Sequence, residues 1–252
     1  MSFIALLFPQ SVLAGAAFVA RTRSSASPGL YVGILAVVGL VWIIGMALEK
    51  MRSDKIEAFA RSLGLTYRRK ATGADLELPI GCHIANRGHD KVVSNILEAT
   101  ATPELAFTMF DYNYTTGYGR SRTTYFQTIS RMQSSLLELP PFLLFPENFF
   151  SRIGDKWATQ KDINFADSPV FSRTFILRGP DEAAVRAIFN AKLRQELEAF
   201  PHLTIEGSGD HLFLYRANRR LKPEQFSPTI EEDKRILALF FEAQRAQGSQ
   251  PA

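Results

Sequence analysis

A chain of 252 residues, 46% hydrophobic and 21% charged, has the composition of an ordinary globular protein, which excludes a disordered chain and a protein of many membrane spans. The formal net charge of +4 is mild; it does not form the concentrated basic stripe of a nucleic-acid binder, so no nucleic-acid partner is expected. The single cysteine, Cys82, excludes an internal disulfide framework and fits a reducing compartment.

The first apolar stretch, Phe3 to Ala20, is uncharged but broken by Pro9 and Gln10. It reads as a second span, a re-entrant or interfacial piece, or a cleaved signal peptide. A signal peptide needs a positive region before its apolar run, and here only Ser2 and the terminus precede it. A span suits the stretch better, because the backbone freed at Pro9 lies within about two turns of the end, where water reaches it. Arg21 to Gly29 then reads as a short loop between antiparallel helices.

Leu30 to Leu48 holds no charge or strong polar group. At roughly 1.5 Å per residue it is about 28 Å long, matching the roughly 30 Å hydrocarbon core of a bilayer. A buried core helix would show a polar face within these five or so turns, so the stretch reads as a span. The following flank carries Lys50, Arg52, Lys55 and Arg61, with Arg68, Arg69 and Lys70 beyond, against Arg21 and Arg23 on the other side. This excess places the soluble domain on the cytoplasmic side. Ile56, Phe59, Ala60 and Leu63 keep helical spacing and Gly64 stands as a C′ stop, so the spanning helix is expected to run on as a rigid stem. The organisation expected is a membrane anchor over 1–48, a stem over 49–64, a soluble domain over 65–246 and a disordered tail over 247–252.

A short strand near Leu65 to Arg68 and the loop Ala71 to Asp75 open the domain. Leu105 to Tyr114 and Arg122 to Met132 are aromatic and β-branched and flank TTGYGRS, which predicts a hairpin with a glycine-bearing loop. Phe142 to Phe145 reads as a short strand that Pro140, Pro141 and Pro146 confine to an edge or interrupt. Phe171 to Arg178 reads as another strand. A helix is predicted from Gly179-Pro180-Asp181 to Phe200, with Val185, Ile188, Phe189, Leu193 and Leu197 on one face. Leu203 to Glu206 and His211 to Arg216 form a second hairpin. A last helix, capped by Ser227 with Pro228 at its first position, carries Ile230, Leu237, Phe240 and Phe241. Hairpins separated by helices, without βαβ alternation, define an α+β fold in which N-terminal transmembrane helices precede an antiparallel sheet with flanking helices.

FDYNYTTGYGRSRTTY, from Phe110, resembles an FDYxYTTGxG(K/R) hairpin motif in a family of uncharacterised bacterial membrane-anchored proteins. Arg87 to Leu97 (RGHDKVVSNIL), Leu139 to Asn148 (LPPFLLFPEN), DINF at Asp162, Phe171 to Phe189 and Glu206 to Arg216 are similar too. The resemblance covers most of the soluble region. It implies one integrated domain at the bacterial inner membrane and carries no assigned activity.

The hairpin places Tyr112, Tyr114, Tyr118, Arg120, Arg122 and Tyr125 around a glycine-rich tip, where donors, cations and exposed main chain suit an anion or a headgroup; a plain polar hairpin end is the alternative. Asp111, a carboxylate inside an aromatic strand, must face solvent or find a partner such as an arginine. Cys82, His83, His89 and Asp90 have metal-ligand chemistry but match no tight zinc spacing, so no metal is expected, and Arg87, His89 and Lys91 read instead as a basic loop. Ser208, Asp210 and His211 lie within one turn and read as a turn, not a triad. With no phosphate-binding glycine loop and no paired CxxC, no cofactor is expected. Two classes of function follow. One is a membrane-anchored binding or scaffold module, its partners the bilayer and a protein or lipid headgroups. The other is a membrane-bound enzyme, hydrolytic in character, built on Asp111 or the Cys82–Asp90 region. Transport by the anchor alone lacks a polar path.

Overall fold

The structure, a computed structural model, describes residues 28–71, 82–102, 104–147 and 160–248. The first apolar segment, most of the loop after it, the 72–75 part of the expected loop and the last four residues lie outside these ranges. The chain divides into two compact units, Met1–Lys55 and Ile56–Ala252.

Helix α1 runs from Pro28 to Ser62. Among the described residues it is the one helix long and apolar enough, by length and composition, to cross a membrane. Its end is a Schellman motif built on Gly64, whose φ of 68° suits glycine. The Leu65 N–H donates to Ala60 O at 2.9 Å and the Gly64 N–H to Arg61 O at 3.1 Å, which satisfies two of the carbonyls left open at a helix end.

Among the described residues of the second unit, eight strands form one antiparallel sheet: β1 Thr66–Lys70, β2 His89–Thr102, β3 Leu105–Thr116, β4 Thr123–Ser134, β5 Leu139–Pro146, β6 Phe175–Arg178, β7 Thr204–Gly209 and β8 His211–Tyr215. Their spatial order is β1-β2-β3-β4-β8-β7-β5-β6. The helices are α2 His83–Asn86, α3 Pro169–Thr174, α4 Glu182–Ile188, α5 Ala191–Leu197 and α6 Phe226–Gly248. The fold class is therefore α+β with an antiparallel sheet, as the hairpin pattern requires.

Because side chains alternate across a strand, the sheet has two differently built faces. On one, Phe142, Leu144, Ile205, Leu212 and Leu214 pack with Val185, Ile188 and Phe189 of α4 and its end, Leu193 and Leu197 of α5, and Ile236 and Phe240 of α6. A smaller cluster joins Ile56 and Ala60 of α1 to Leu97, Met109, Leu221, Phe226 and Ile230. On the other face Phe110, Tyr112, Tyr114, Ile129, Phe213 and Tyr215 pack against Cys82 and Ile84. Each large apolar side chain so buried contributes about 1.5–3 kcal/mol.

Several elements differ from expectation, each for a local reason. The fourteen-residue β2 was not predicted; it pairs with β1 and β3, and register shifts break its alternation. β5 is not an edge strand, since it pairs with both β6 and β7; a register shift between Leu139 and Phe142 takes up Pro140 and Pro141, and Pro146 ends the strand. Phe171 to Arg178 is a helix and then a strand: Pro169 starts α3, and only from Phe175 is the chain extended. The expected 181–200 helix is two, because the Asn190 side chain accepts from Leu193 N and starts α5 afresh. The last helix begins at Phe226, after a 3₁₀ turn over Pro223–Gln225, so Ser227 is not its cap, and it continues through Gly248 into the expected tail.

Candidate functional site

β3 and β4 stay in register to their end, from Leu105 opposite Ser134 to Thr116 opposite Thr123, so the hairpin delivers its loop without slippage. The loop closes with a 3₁₀ turn over Gly119–Ser121, in which Ser121 Oγ donates to Tyr118 O at 2.9 Å. Tyr118 is 78% exposed and lies flat on His89, ring centroids 4.6 Å apart and planes 9° from parallel. His89 Nε2 is 3.0 Å from Gly117 O. Arg122 donates to Asp90 Oδ2 at 2.9 Å, and Arg120 is exposed within the 3₁₀ turn. Behind this group Gly88, at φ 63°, lets the β2 strand enter: a Cβ there would stand 2.3 Å from Thr115 O.

Tyr118, Arg120 and Arg122 therefore gather at the tip, joined by His89 and Asp90. Tyr112 and Tyr114 do not; both are buried in the sheet, and this corrects their expected placement around the loop. Tyr125 is half-buried and stacks on Tyr114 at 5.1 Å. The Arg87 guanidinium lies over both rings, 5.3 Å from Tyr114 and 5.7 Å from Tyr125, a cation–π arrangement.

The same face buries Glu206 of β7. Its Oε2 accepts from His83 N at 2.5 Å, and its Oε1 accepts from Ile84 N at 3.2 Å and from the Tyr215 hydroxyl at 2.5 Å. The Tyr112 hydroxyl donates to Ile84 O at 3.2 Å, and Lys91 Nζ donates to Ala85 O. The four-residue α2 is thus held at both ends by side chains of the sheet. Burial pushes the Glu206 carboxyl up to about 7, against the hydrogen bonds it accepts.

Asp111 points to the other face and is 1% exposed. Its Oδ2 accepts from Asn95 Nδ2 at 2.8 Å and Arg220 Nε at 3.2 Å, and its Oδ1 from Thr128 Oγ1 at 2.8 Å. Both oxygens accept hydrogen bonds from side chains of the protein, so the carboxyl group ties strands and a loop together inside the domain.

The Cys82–Asp90 region splits in two. Cys82 and His83 are buried at the start of α2, whereas His89 and Asp90 belong to the tip. Among the described residues no three His, Cys, Asp or Glu side chains gather to hold a metal. Burial, with the nearby Glu206 charge, pushes the Cys82 thiol well above its ordinary range and away from a reactive thiolate. Burial and the neighbouring Arg87 lower His83 to about 4. At the β7–β8 turn Asp210 Oδ1 lies 3.3 Å from His211 Nε2, and its other oxygen accepts from Gln133 Nε2 at 2.8 Å; these residues close a hairpin.

The role of Glu206 and the stacking of Arg87 are not legible in the sequence. Glu206 meets His83 across 123 residues, and a polar residue in a short alternating strand carries no local mark of such a partner. What the fold and tip define is an α+β module that follows an apolar helix and exposes an aromatic and cationic hairpin end. The fold is similar to the crystal structure of the mycobacterial trehalose monomycolate transport factor A, with a TM-score of 0.55 and 10% identity over 80% of this chain and 98% of that one. At this identity the likeness shows the fold alone. No family model matches the chain, and no curated protein matches it in sequence.

Proposed function

We propose that the chain is a membrane-anchored binding module, held in the bilayer by α1, which presents the hairpin tip of its α+β domain to a protein partner or to lipid headgroups. The observation that carries this reading is the exposed Tyr118 platform on His89, followed by the exposed Arg120 in the same loop. Aromatic rings and arginines are the side chains that recognition surfaces enrich, and a tyrosine that spends its exposed face on water is well placed to meet a partner. A structural neighbour named as a trehalose monomycolate transport factor is compatible with this reading. Lys50, Arg52 and Lys55 after the apolar run support a cytoplasmic domain at a bacterial inner membrane.

A photo-crosslinking residue placed at Tyr118 in cells tests the tip, with Lys234 on α6 as the control position. Adducts at 118 that are absent at 234 are expected, a protein or a lipid adduct naming the kind of partner; no adduct at 118, or equal adducts at both, overturns the reading. A reporter fused at Ala252 tests orientation, and activity only from an exported reporter reverses it.

A further inference from the structure

Residues 82–88 close over the tyrosine face of the sheet, and the bonds that hold this cover come largely from sheet side chains. Glu206 grips its start at the His83 and Ile84 N–H groups, and Tyr112 and Lys91 hold the Ile84 and Ala85 carbonyls. At its far end the cover continues through Arg87, seated over Tyr114 and Tyr125, and Gly88, packed on Thr115, into His89, on which Tyr118 rests. One continuous segment therefore joins a buried carboxylate to the exposed tip.

We propose that Glu206 is a proton-operated latch, which sets how firmly residues 82–88 close over the tyrosine face and, through Arg87 to His89, how firmly the Tyr118 platform is held. The second half of this proposal rests on the tip being the contact surface; the latch itself does not.

The sign follows from linkage. Facing Glu206 are Cys82, His83 and Arg87 from the cover, Tyr112 and Tyr114 from β3, and Tyr215 from β8. Burial pushes the Cys82 thiol and the Tyr112 and Tyr215 hydroxyls above their ordinary values and lowers His83 to about 4, and the guanidinium is always charged. That leaves Glu206 to titrate near neutrality, at about 7 when covered against 4.5 ordinarily. The hydrogen bonds from His83, Ile84 and Tyr215 and the Arg87 charge favour the ionised carboxylate, but burial outweighs them, so the closed state binds the proton more tightly than an open, hydrated one. Closure is favoured as pH falls below about 7 and weakens as pH rises, with the open fraction growing about tenfold between about pH 6 and 8.

Cys82, the only cysteine and 3% exposed, lies within the cover and reports its opening. The test is alkylation of the full chain in detergent at pH 6, 7 and 8, each rate divided by that in denaturant at the same pH, which removes the thiol's own ionisation. The wild type is expected to show the tenfold rise. Glu206→Gln, which stays uncharged and still offers an acceptor oxygen to the two N–H groups, is expected to label slowly at every pH. A flat wild-type profile, or a Glu206→Gln profile that rises like the wild type, overturns the latch. The measurement needs no partner, so its failure leaves the tip reading intact. Crosslinking at position 118 that is unchanged between pH 6 and 8 while Cys82 labelling rises overturns the coupling, and absence of any adduct at 118 overturns the tip.

Discussion

Arg220 Nε reaches Asp111 Oδ2 at 3.2 Å, although the two residues are 109 positions apart. The arginine comes from the loop that follows β8, and the same loop lies along β4, where Thr128 N donates to Arg219 O and Leu221 N donates to Thr128 Oγ1. On the other side Asp111 accepts from Asn95, whose Oδ1 accepts in turn from the Tyr67 hydroxyl at 2.8 Å. One carboxylate thus ties β1, β2, β4 and the loop after β8.

Asp111→Ala is expected to lower stability by about 3 kcal/mol, below the largest buried-pair losses because the Arg220 side chain keeps some solvent. Asp111→Asn, which keeps one acceptor oxygen, is expected to lose less. Urea unfolding of both variants checks this; a loss under about 0.5 kcal/mol for Asp111→Ala, the size of an ordinary surface substitution, would show that the network contributes nothing.

Arg194 of α5 is buried and works as a clamp. Its guanidinium donates to Asp167 at 2.5 Å, Ser168 Oγ at 2.9 Å and Phe189 O at 2.7 Å, and it lies 4.0 Å from the centroid of the Phe165 ring. No ammonium has this planar fork. Arg194→Lys is therefore expected to lose nearly as much as Arg194→Ala, about 2–3 kcal/mol. Rescue by lysine in thermal unfolding would mean that charge alone matters here.

Where a residue's partners are close in sequence, the fold is readable from the chain. The β3–β4 hairpin follows from the alternation around Tyr112 and Tyr125 and the glycines between them, and the end of α1 from Gly64. β2 is hidden because Asp90 and Asn95 take φ of 50°, at and near its register shifts, so its side chains do not keep a period of two. The break between α4 and α5 is hidden because Asn190 sits within an otherwise helical apolar stripe. Proximity along a hairpin does not tell which face a side chain meets, so the chain alone does not show that Tyr112 and Tyr114 are buried in the sheet. That Asp111 needs a partner such as an arginine is readable from the chain, but the contacts that join it to Arg220 and Glu206 to His83 span more than a hundred residues, beyond any local pattern.

Gly88 and Gly119 separate two costs of replacing a glycine. Both have positive φ, 63° and 57°, but a Cβ at Gly88 meets the Thr115 backbone at 2.3 Å, whereas nothing lies within 4 Å at Gly119. Gly119→Ala is expected to cost only the left-handed strain, about 1–2 kcal/mol. Gly88→Ala adds a clash that must move the backbone and is expected to cost about twice as much or more. Equal losses in thermal unfolding would show that β2 gives way freely at this point.

Asp233 of α6 gives stability a pH dependence that can be isolated. It is 1% exposed and accepts from Ser130 Oγ at 2.5 Å, and burial, the leading cause, raises its carboxyl to about 7 from an ordinary 3.8; Glu232 adds to the rise, while the Ser130 bond and Arg216 oppose it. The folded state holds this proton more tightly than the unfolded chain, so the contribution is fully present below pH 3.8 and is lost as pH rises through about 7. Asp233→Asn keeps an acceptor for Ser130 and cannot ionise. Between about pH 5 and 8 the wild type is therefore expected to lose about 2–3 kcal/mol relative to Asp233→Asn, read as the change in their difference in urea unfolding at the two pH values. Other titrating groups are common to both proteins and cancel in that difference. A difference that stays constant with pH would mean that water reaches Asp233 and keeps it ionised in the folded chain.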